Sequence, residues 1–269
     1  MTRQQLVELI RRKASYLCVG LDTDPAKIPV HLRDQDDPVF AFNRAVIDAT
    51  REACVAYKLN TAFYEARGVA GWQSLEKTVR YIGTDHFTIA DAKRGDIGNT
   101  SDQYARAFFE TLPFDAVTVS PYMGEDSVRP FLQYPGKWAI VLGLTSNLGA
   151  RDFELQQAGS ERLYEKVLRT VASWGNPDNL MFVVGATQAD EFVNIRRLTP
   201  EHFYLVPGVG AQGGSLREIS RKALRGDGGL LVNMSRSILY ASPGTDFAQA
   251  AGREARAAQQ EMAAYLAEV

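Results

Sequence analysis

The feature that most limits the fold of this chain is a regular alternation between short apolar segments and amphipathic segments. Eight apolar runs recur along the 269 residues, and they are rich in Val, Ile, Leu and Phe without polar residues at alternate positions. Strands that are buried on both faces, as in a parallel sheet, have this composition. The predicted strands are residues 16–21, 55–59, 87–90, 116–119, 139–144, 180–184, 203–206 and 230–233.

Segments with helical periodicity lie between most of these strands. In the first of them Val39, Phe42, Val46 and Ala49 fall on one face of a helix. The predicted helices are residues 38–53, 73–81, 101–111, 160–174, 216–224 and 247–267, with a weaker signal at 126–131.

A strand followed by a helix, repeated along nearly the whole chain, predicts a (β/α)8 TIM barrel, which is an α/β fold. No stretch rich in Pro, Gly or Ser interrupts the pattern, so residues 1–269 are expected to form a single domain. A doubly wound open sheet is the alternative that the same pattern allows.

Composition and charge exclude several classes of function. The net charge of −2 leaves no general basic surface for nucleic acid or anionic lipid, so any anion site must be local. No apolar run reaches the roughly 18 residues that span a bilayer, and the N-terminal residues 1–13 are typical of a surface helix rather than a secretion signal. Cys18 and Cys54 are expected to be buried thiols in a reducing cytoplasm. The three histidines lack the spacing of a metal site or a catalytic triad.

Polar residues follow nearly every predicted strand. The active site of a barrel lies at the carboxyl ends of its strands. One such residue is explained by a helix cap, whereas a whole set at successive strand ends indicates a shared site. The set comprises Asp22, Lys58, Asn60, Asp91, Lys93, Ser120, Pro121, Tyr122, Thr145, Ser146, Asn147, Pro207, Gly208, Ser235 and Arg236.

The segment Asp91-Ala-Lys93-Arg-Gly95-Asp96-Ile carries the most chemical information. Side chains alternate along a strand, so Asp91 and Lys93 are expected to point the same way and to meet a ligand together. Asp96 follows Gly95, where the chain is expected to turn, and should point elsewhere. A surface ion pair with a helix N-cap is the alternative for an isolated pattern of this kind.

Two loops indicate a phosphate site. Residues 207–215 contain a formal G-x-G-x-x-G, but Asn233 stands where a dinucleotide-binding fold needs an acidic residue. The glycines are better explained as a mobile loop with exposed amides, leading into a helix N-terminus that favours an anion. Arg236 follows Ser235 on the next loop, and a guanidinium can hold a phosphate by two parallel hydrogen bonds. A glycine turn beside a surface arginine is the alternative.

Taken together, the motifs resemble those of the orotidine 5′-phosphate decarboxylase family, in particular its bacterial subgroup with longer chains. The resemblance spans nearly the whole chain and implies a homodimeric TIM barrel that converts the nucleotide orotidine 5′-phosphate to UMP and CO2 without a metal or organic cofactor. The matching motifs are Leu21-Asp22, Lys58-x-Asn60, Asp91-Ala-Lys93-Arg-Gly-Asp96-Ile-Gly-Asn-Thr100, Thr145-Ser146-Asn147, Pro207-Gly-Val-Gly-Ala-Gln212-Gly213-Gly and Ser235-Arg236-Ser-Ile.

The resemblance also implies the roles of individual residues. Lys58, Asp91, Lys93 and Asp96 would form an alternating network of charges, in which Lys93 gives a proton to C6 of the pyrimidine. Asp96 and Thr100 would reach into the site of the neighbouring subunit. The remaining residues implied to bind substrate are Asp22 and Lys58 at the ribose hydroxyls, Ser146 at the pyrimidine, Gln212 and Arg236 at the phosphate, and Asn60, Pro207, Gly213 and Ser235 in the same motifs.

The chemistry of the reaction favours the same residue types. Loss of CO2 from the orotate ring leaves a poorly stabilised carbanion, so fixed charge must stabilise it when no cofactor acts as an electron sink. An ammonium at C6 does this and then delivers the proton, and a carboxylate beside it keeps the lysine charged. Binding energy from the remote phosphate can close a loop and orient the ring.

Three other functions are compatible with parts of the pattern. A metal-dependent sugar-phosphate decarboxylase or aldolase would need a carboxylate after the second strand to complete a Mg²⁺ site, and this chain has Lys58 there. A Schiff-base aldolase would need an unprotonated lysine, whereas two carboxylates lie close to Lys93 in the sequence. A non-catalytic phosphate sensor would not need alternating charges at the mouth of the barrel.

Overall fold

The structure, a computed structural model, describes residues 1–210 and 213–269. Within these residues eight parallel strands close into a barrel, because the first strand pairs with both the second and the last. The predicted TIM barrel is therefore confirmed, and the open sheet is excluded. The barrel strands are Leu17–Gly20, Ala56–Asn60, Phe87–Arg94, Ala116–Val119, Trp138–Leu144, Leu180–Val184, Phe203–Pro207 and Leu230–Met234.

Helices follow the strands around the outside of the barrel. Every helix predicted from the sequence is present, although the ends differ by a few residues. The helix Phe192–Leu198 was not predicted. Its short length leaves only Phe192 and Ile195 as buried residues, too few for a clear periodic signal. The helices are Arg3–Lys13, Pro38–Thr50, Ala62–Glu65, Gly68–Ile82, Gly98–Arg106, Glu125–Leu132, Leu163–Ala172, Phe192–Leu198, Leu216–Ala223, Arg236–Leu239 and Phe247–Leu266, with a π-helical turn at Ala107–Thr111.

The N-terminal helix Arg3–Lys13 covers the amino end of the barrel. Leu6, Leu9 and Ile10 are buried in the same apolar cluster as Ile89 and other residues of the barrel strands. One face of this helix is therefore core, which the alternation of charged and apolar residues did not reveal. No helix in the described parts of the chain is long and apolar enough to cross a membrane. Cys18 and Cys54 are both buried and unpaired.

The third strand carries an irregularity at its carboxyl end. It continues past Ala90, where the apolar run ends, to Arg94, and its register against the fourth strand shifts between these two residues. Lys93 has a φ of +48°, in the left-handed region that non-glycine residues seldom adopt. The shift marks a β-bulge, a feature that re-aims side chains and is common next to active sites.

Candidate active site

Four charged side chains form a continuous line at the carboxyl ends of the first three strands. Nζ of Lys58 donates to Oδ2 of Asp91 at 2.8 Å and lies 3.4 Å from Oδ1 of Asp22. Nζ of Lys93 donates to the other oxygen of Asp91, Oδ1, at 2.6 Å. The order Asp22, Lys58, Asp91, Lys93 alternates in sign, so each buried charge has a neighbour of opposite charge.

Burial and ion pairing have opposite effects on the pKa values of Lys58 and Asp91, the two inner members of the line. Burial by itself would raise the pKa of Asp91, but the charges of Lys58 and Lys93 outweigh it and hold that pKa well below its usual range. For Lys58 burial lowers the pKa, and the carboxylates of Asp22 and Asp91 more than reverse this and raise it. Asp91 is therefore an anion and Lys58 a cation at neutral pH. The side chain of Lys93 is 52% exposed and forms the accessible end of the line.

A cavity of about 460 Å³ opens beside Asp22, Lys58 and Asp91, whereas Lys93 is not among the residues that line it. Ser235 and Arg236 line the same cavity. The carboxyl ends of the first three strands and of the last two therefore face one space. Asn60 and Pro207, which end the second and seventh strands, also line it.

Several lining residues were missed by the sequence reading. Asp24 and Lys27 lie in the loop after the first strand, and a search extended further past each strand end would have found them. Tyr240 directly follows the short helix Arg236–Leu239 and lines the same cavity, and its hydroxyl accepts from the amide of Asp24 at 2.9 Å. No local signal marks such a residue. The other lining residues missed are Phe63, Val209 and Asn233.

Asp96 and Thr100 lie apart from the line of charges. Oδ1 of Asp96 accepts from the amide of Ile97 at 2.8 Å, and Asp96 takes part in no ion pair among residues 1–210 and 213–269. Thr100 is exposed in the first turn of the helix Gly98–Arg106. Within one chain Asp22 thus joins the network at the Lys58 end, whereas the resemblance places Asp96 at the other end, next to Lys93.

The remaining predicted residues belong to loops. Ser146 follows the fifth strand and packs tightly against Gly185. A Cβ atom added to Gly185 would lie 2.7 Å from the Cβ of Ser146. Gly213 has a φ of +86°, and its amide donates to the carbonyl of Gly210 at 3.0 Å. Gln212 lies outside the described residues. In the described part of the chain no three His, Cys, Asp or Glu side chains are grouped so that they could hold a metal ion.

The fold and the site define a class of protein, a (β/α)8-barrel enzyme with a charged small-molecule cavity at the carboxyl end of the barrel. Residues 15–251 match the model of the orotidine 5′-phosphate decarboxylase / HUMPS family. An orotidine 5′-phosphate decarboxylase from Phocaeicola vulgatus is 58% identical over 266 residues, covering 97% of this chain and 98% of the relative. One from Bacteroides fragilis is 57% identical and covers 99% and 98%.

Solved structures give the same result. The structure of Leishmania donovani OMP decarboxylase superposes with a TM-score of 0.83 at 35% identity, covering 98% of this chain and 99% of the other. The chain belongs to the orotidine 5′-phosphate decarboxylase / HUMPS family. It is an enzyme of the carboxy-lyase class.

Proposed function

We propose that this chain decarboxylates orotidine 5′-phosphate to UMP and CO2 in pyrimidine biosynthesis, with Lys93 as the proton donor and without a metal or organic cofactor. The names of its relatives support the overall reaction. The observation that carries the mechanism is the alternating line of Asp22, Lys58, Asp91 and Lys93, which presents an ammonium group held by a buried carboxylate.

The chemical step needs a positive charge at one atom. When the bond between C6 and the carboxylate breaks, CO2 leaves and the electron pair stays on C6, where no carbonyl is placed to delocalise it. The ammonium of Lys93 stabilises this pair and then transfers its proton to C6, which forms the C6–H bond of UMP. Asp91, which is hydrogen-bonded to Lys93 and Lys58 through different oxygens, orients both ammonium groups.

The rest of the cavity suits the ribose and the phosphate. Asp22, Lys58 and Asn60 would contact the ribose, since they line the cavity next to Asp91. Arg236 would hold the phosphate, because it lines the same cavity and a guanidinium binds phosphate in a bidentate way. The further substrate contacts in this proposal are Ser146 at the pyrimidine, and Pro207, Gln212, Gly213 and Ser235 around the phosphate.

We also infer that the enzyme is a homodimer with shared sites. Asp96 and Thr100 would complete the neighbouring subunit's site, which agrees with the exposure of Thr100 and with the lack of an ion pair between Asp96 and the line of charges in the described residues. Exposed apolar side chains support a protein interface here. Ile97, which directly follows Asp96, is 57% exposed, and Tyr122, in the loop after the fourth strand, is 89% exposed. We further propose that each subunit acts as one catalytic domain in the cytoplasm, where two unpaired thiols remain reduced.

Replacing the proton donor tests this function. The assay follows the orotate absorbance of orotidine 5′-phosphate with and without a chelator, and calorimetry follows UMP binding. We expect the unmodified enzyme to consume the substrate equally well in both conditions. Lys93→Ala should abolish turnover and still bind UMP, because the ribose and phosphate contacts remain.

The control variant is Lys222→Ala, which removes a surface lysine whose ion pair with Asp190 lies outside the cavity. It should keep full activity. Near-normal turnover by Lys93→Ala would refute the assignment of the proton donor. Loss of activity with the chelator would refute the cofactor-free mechanism.

A further inference from the structure

A buried threonine connects the fourth strand to the charged residues of the third. Thr118 is 1% exposed, and its Oγ1 accepts from the backbone amide of Lys93 at 2.9 Å. The same hydroxyl donates to Oδ1 of Asp91 at 3.1 Å. One side chain thus holds the backbone of one charged residue and the carboxylate of another.

The bulge makes the first of these bonds necessary. Ala90 pairs with Val117 and Arg94 pairs with Val119, so Thr118 alone lies opposite the chain between Ala90 and Arg94. A regular ladder is lost at this point, and a buried amide without a partner is costly. The Thr118 hydroxyl gives the amide of Lys93 an acceptor and so supports its left-handed backbone, a conformation that is unfavourable for a residue other than glycine.

The second bond helps to fix the Asp91 carboxylate. Its Oδ1 accepts from Thr118 and from the ammonium of Lys93, and its Oδ2 accepts from Lys58. These donors come from three different strands, so the carboxylate plane is held in one orientation. Without the hydroxyl, Oδ1 would be held by the half-exposed ammonium of Lys93 alone.

We propose that Thr118 is a positioning residue for decarboxylation, whose hydroxyl fixes both partners of the Asp91–Lys93 ion pair and so places the Lys93 ammonium for proton transfer. This inference rests on the proposed function, in which Lys93 is the proton donor. Thr118 is buried and its hydroxyl is bonded to Lys93 and Asp91, so it acts through these two residues and not on the substrate.

Two substitutions separate this role from simple packing. Thr118→Val keeps the shape and removes the hydroxyl, and Thr118→Ser keeps the hydroxyl. We expect kcat of Thr118→Val to fall about 10- to 100-fold with little change in KM, because a small misplacement of a reacting group has an effect of this size. Thr118→Ser should restore most of the activity.

A second buried threonine provides a matched control. Thr88 is also 1% exposed and also bonds a carboxylate, that of Asp115, but it lies near the amino end of the third strand, away from the cavity. Thr88→Val should lower the melting temperature and leave kcat unchanged. If Thr118→Val behaves in the same way, Thr118 is only a packing residue and the inference is overturned.

Folding and function can be told apart in this experiment. If Thr118→Val does not fold, the activity ratio of Thr118→Ser to Thr118→Ala decides, and equal activities overturn the inference. If the unmodified enzyme does not decarboxylate orotidine 5′-phosphate, the proposed function fails first. If it does, and Lys93→Ala is inactive, a fully active Thr118→Val refutes only the role of Thr118.

Discussion

At the scale of single residues, Lys93 combines an unfavourable backbone with a precise set of contacts. Among the described residues other than glycine, only Lys93 and Ala14 have a positive φ, and Ala14 caps the N-terminal helix. Ala14 therefore has a common reason for this conformation, whereas Lys93 is in a strand. Strain of this kind is concentrated at functional sites, where surrounding contacts maintain it.

Arg236 allows a test of the phosphate end. Arg236→Ala should weaken UMP binding by about 2–5 kcal/mol, because the variant leaves a bound phosphate charge without its partner. Arg236→Lys should give an intermediate loss, since an ammonium cannot make the bidentate contact. Isothermal titration calorimetry measures both.

A surface arginine serves as the control for this measurement. Arg253 forms an ion pair with Asp246 in the last helix, and both side chains are more than half exposed. Arg253→Ala should bind UMP like the unmodified protein. Unchanged affinity in Arg236→Ala would mean that the phosphate is held elsewhere.

At the scale of elements, two histidines make the amino ends of the strands sensitive to acid. His86 directly precedes the third strand and His202 the seventh, and both are buried. Burial lowers the pKa of each to about 4, helped by the nearby charges of Lys13 for His86 and of Arg3 for His202. In the folded protein both rings are therefore neutral at pH 7.

This depression of the pKa predicts the direction of the pH dependence. As the pH falls below about 6.5, the unfolded chain binds protons at these histidines before the folded chain does, so stability is lost between about pH 6.5 and pH 4. At pH 5 the loss is about 2 kcal/mol for each histidine. Urea unfolding at pH 8 and pH 5 measures it.

Substituting one histidine measures its contribution to the pH dependence of the unfolding free energy. His202→Leu should reduce the loss of unfolding free energy between pH 8 and pH 5 by about 2 kcal/mol. The control is the unmodified protein, unfolded in urea at the same two pH values. A pH dependence in His202→Leu as steep as in the unmodified protein would contradict the argument.

The third strand contains a bulge that its sequence did not predict. Its apolar run ends at Ala90, but pairing resumes at Arg94. Strict alternation in a regular strand predicts that Asp91 and Lys93 point to one face. The strand is not regular here, because it contains the bulge, yet Nζ of Lys93 still lies 2.6 Å from Oδ1 of Asp91. A bulge depends on the pairing with the adjacent strand, so the pattern of a single strand does not reveal it.

At the scale of the whole molecule, the proposed dimer predicts complementation between two inactive chains. A heterodimer of Lys93→Ala with Asp96→Ala would contain one site in which both residues are intact, because in the proposed dimer each site takes Lys93 from one subunit and Asp96 from the other. We expect activity to return when the two variants are mixed and allowed to exchange subunits. Continuous assay of orotidine 5′-phosphate consumption measures the recovery.

Controls define what the recovery means. Each variant alone should stay inactive at the same total concentration, and differently tagged chains allow the heterodimer to be isolated and verified. If verified heterodimers are as inactive as the parent variants, the sites are not shared and Asp96 acts within its own chain or not at all.

The sequence by itself determined the barrel, the candidate site residues at seven of the eight strand ends, and the resemblance to the family. These features follow from local periodicity and from the order of residue types, which are properties of short segments. Tertiary structure alone decided that Asp22 joins Lys58, that Thr118 bridges Asp91 and Lys93, and that Tyr240 contacts the first loop. Tyr240 and Asp24 are 216 positions apart in the chain, and only the closure of the barrel brings such residues together.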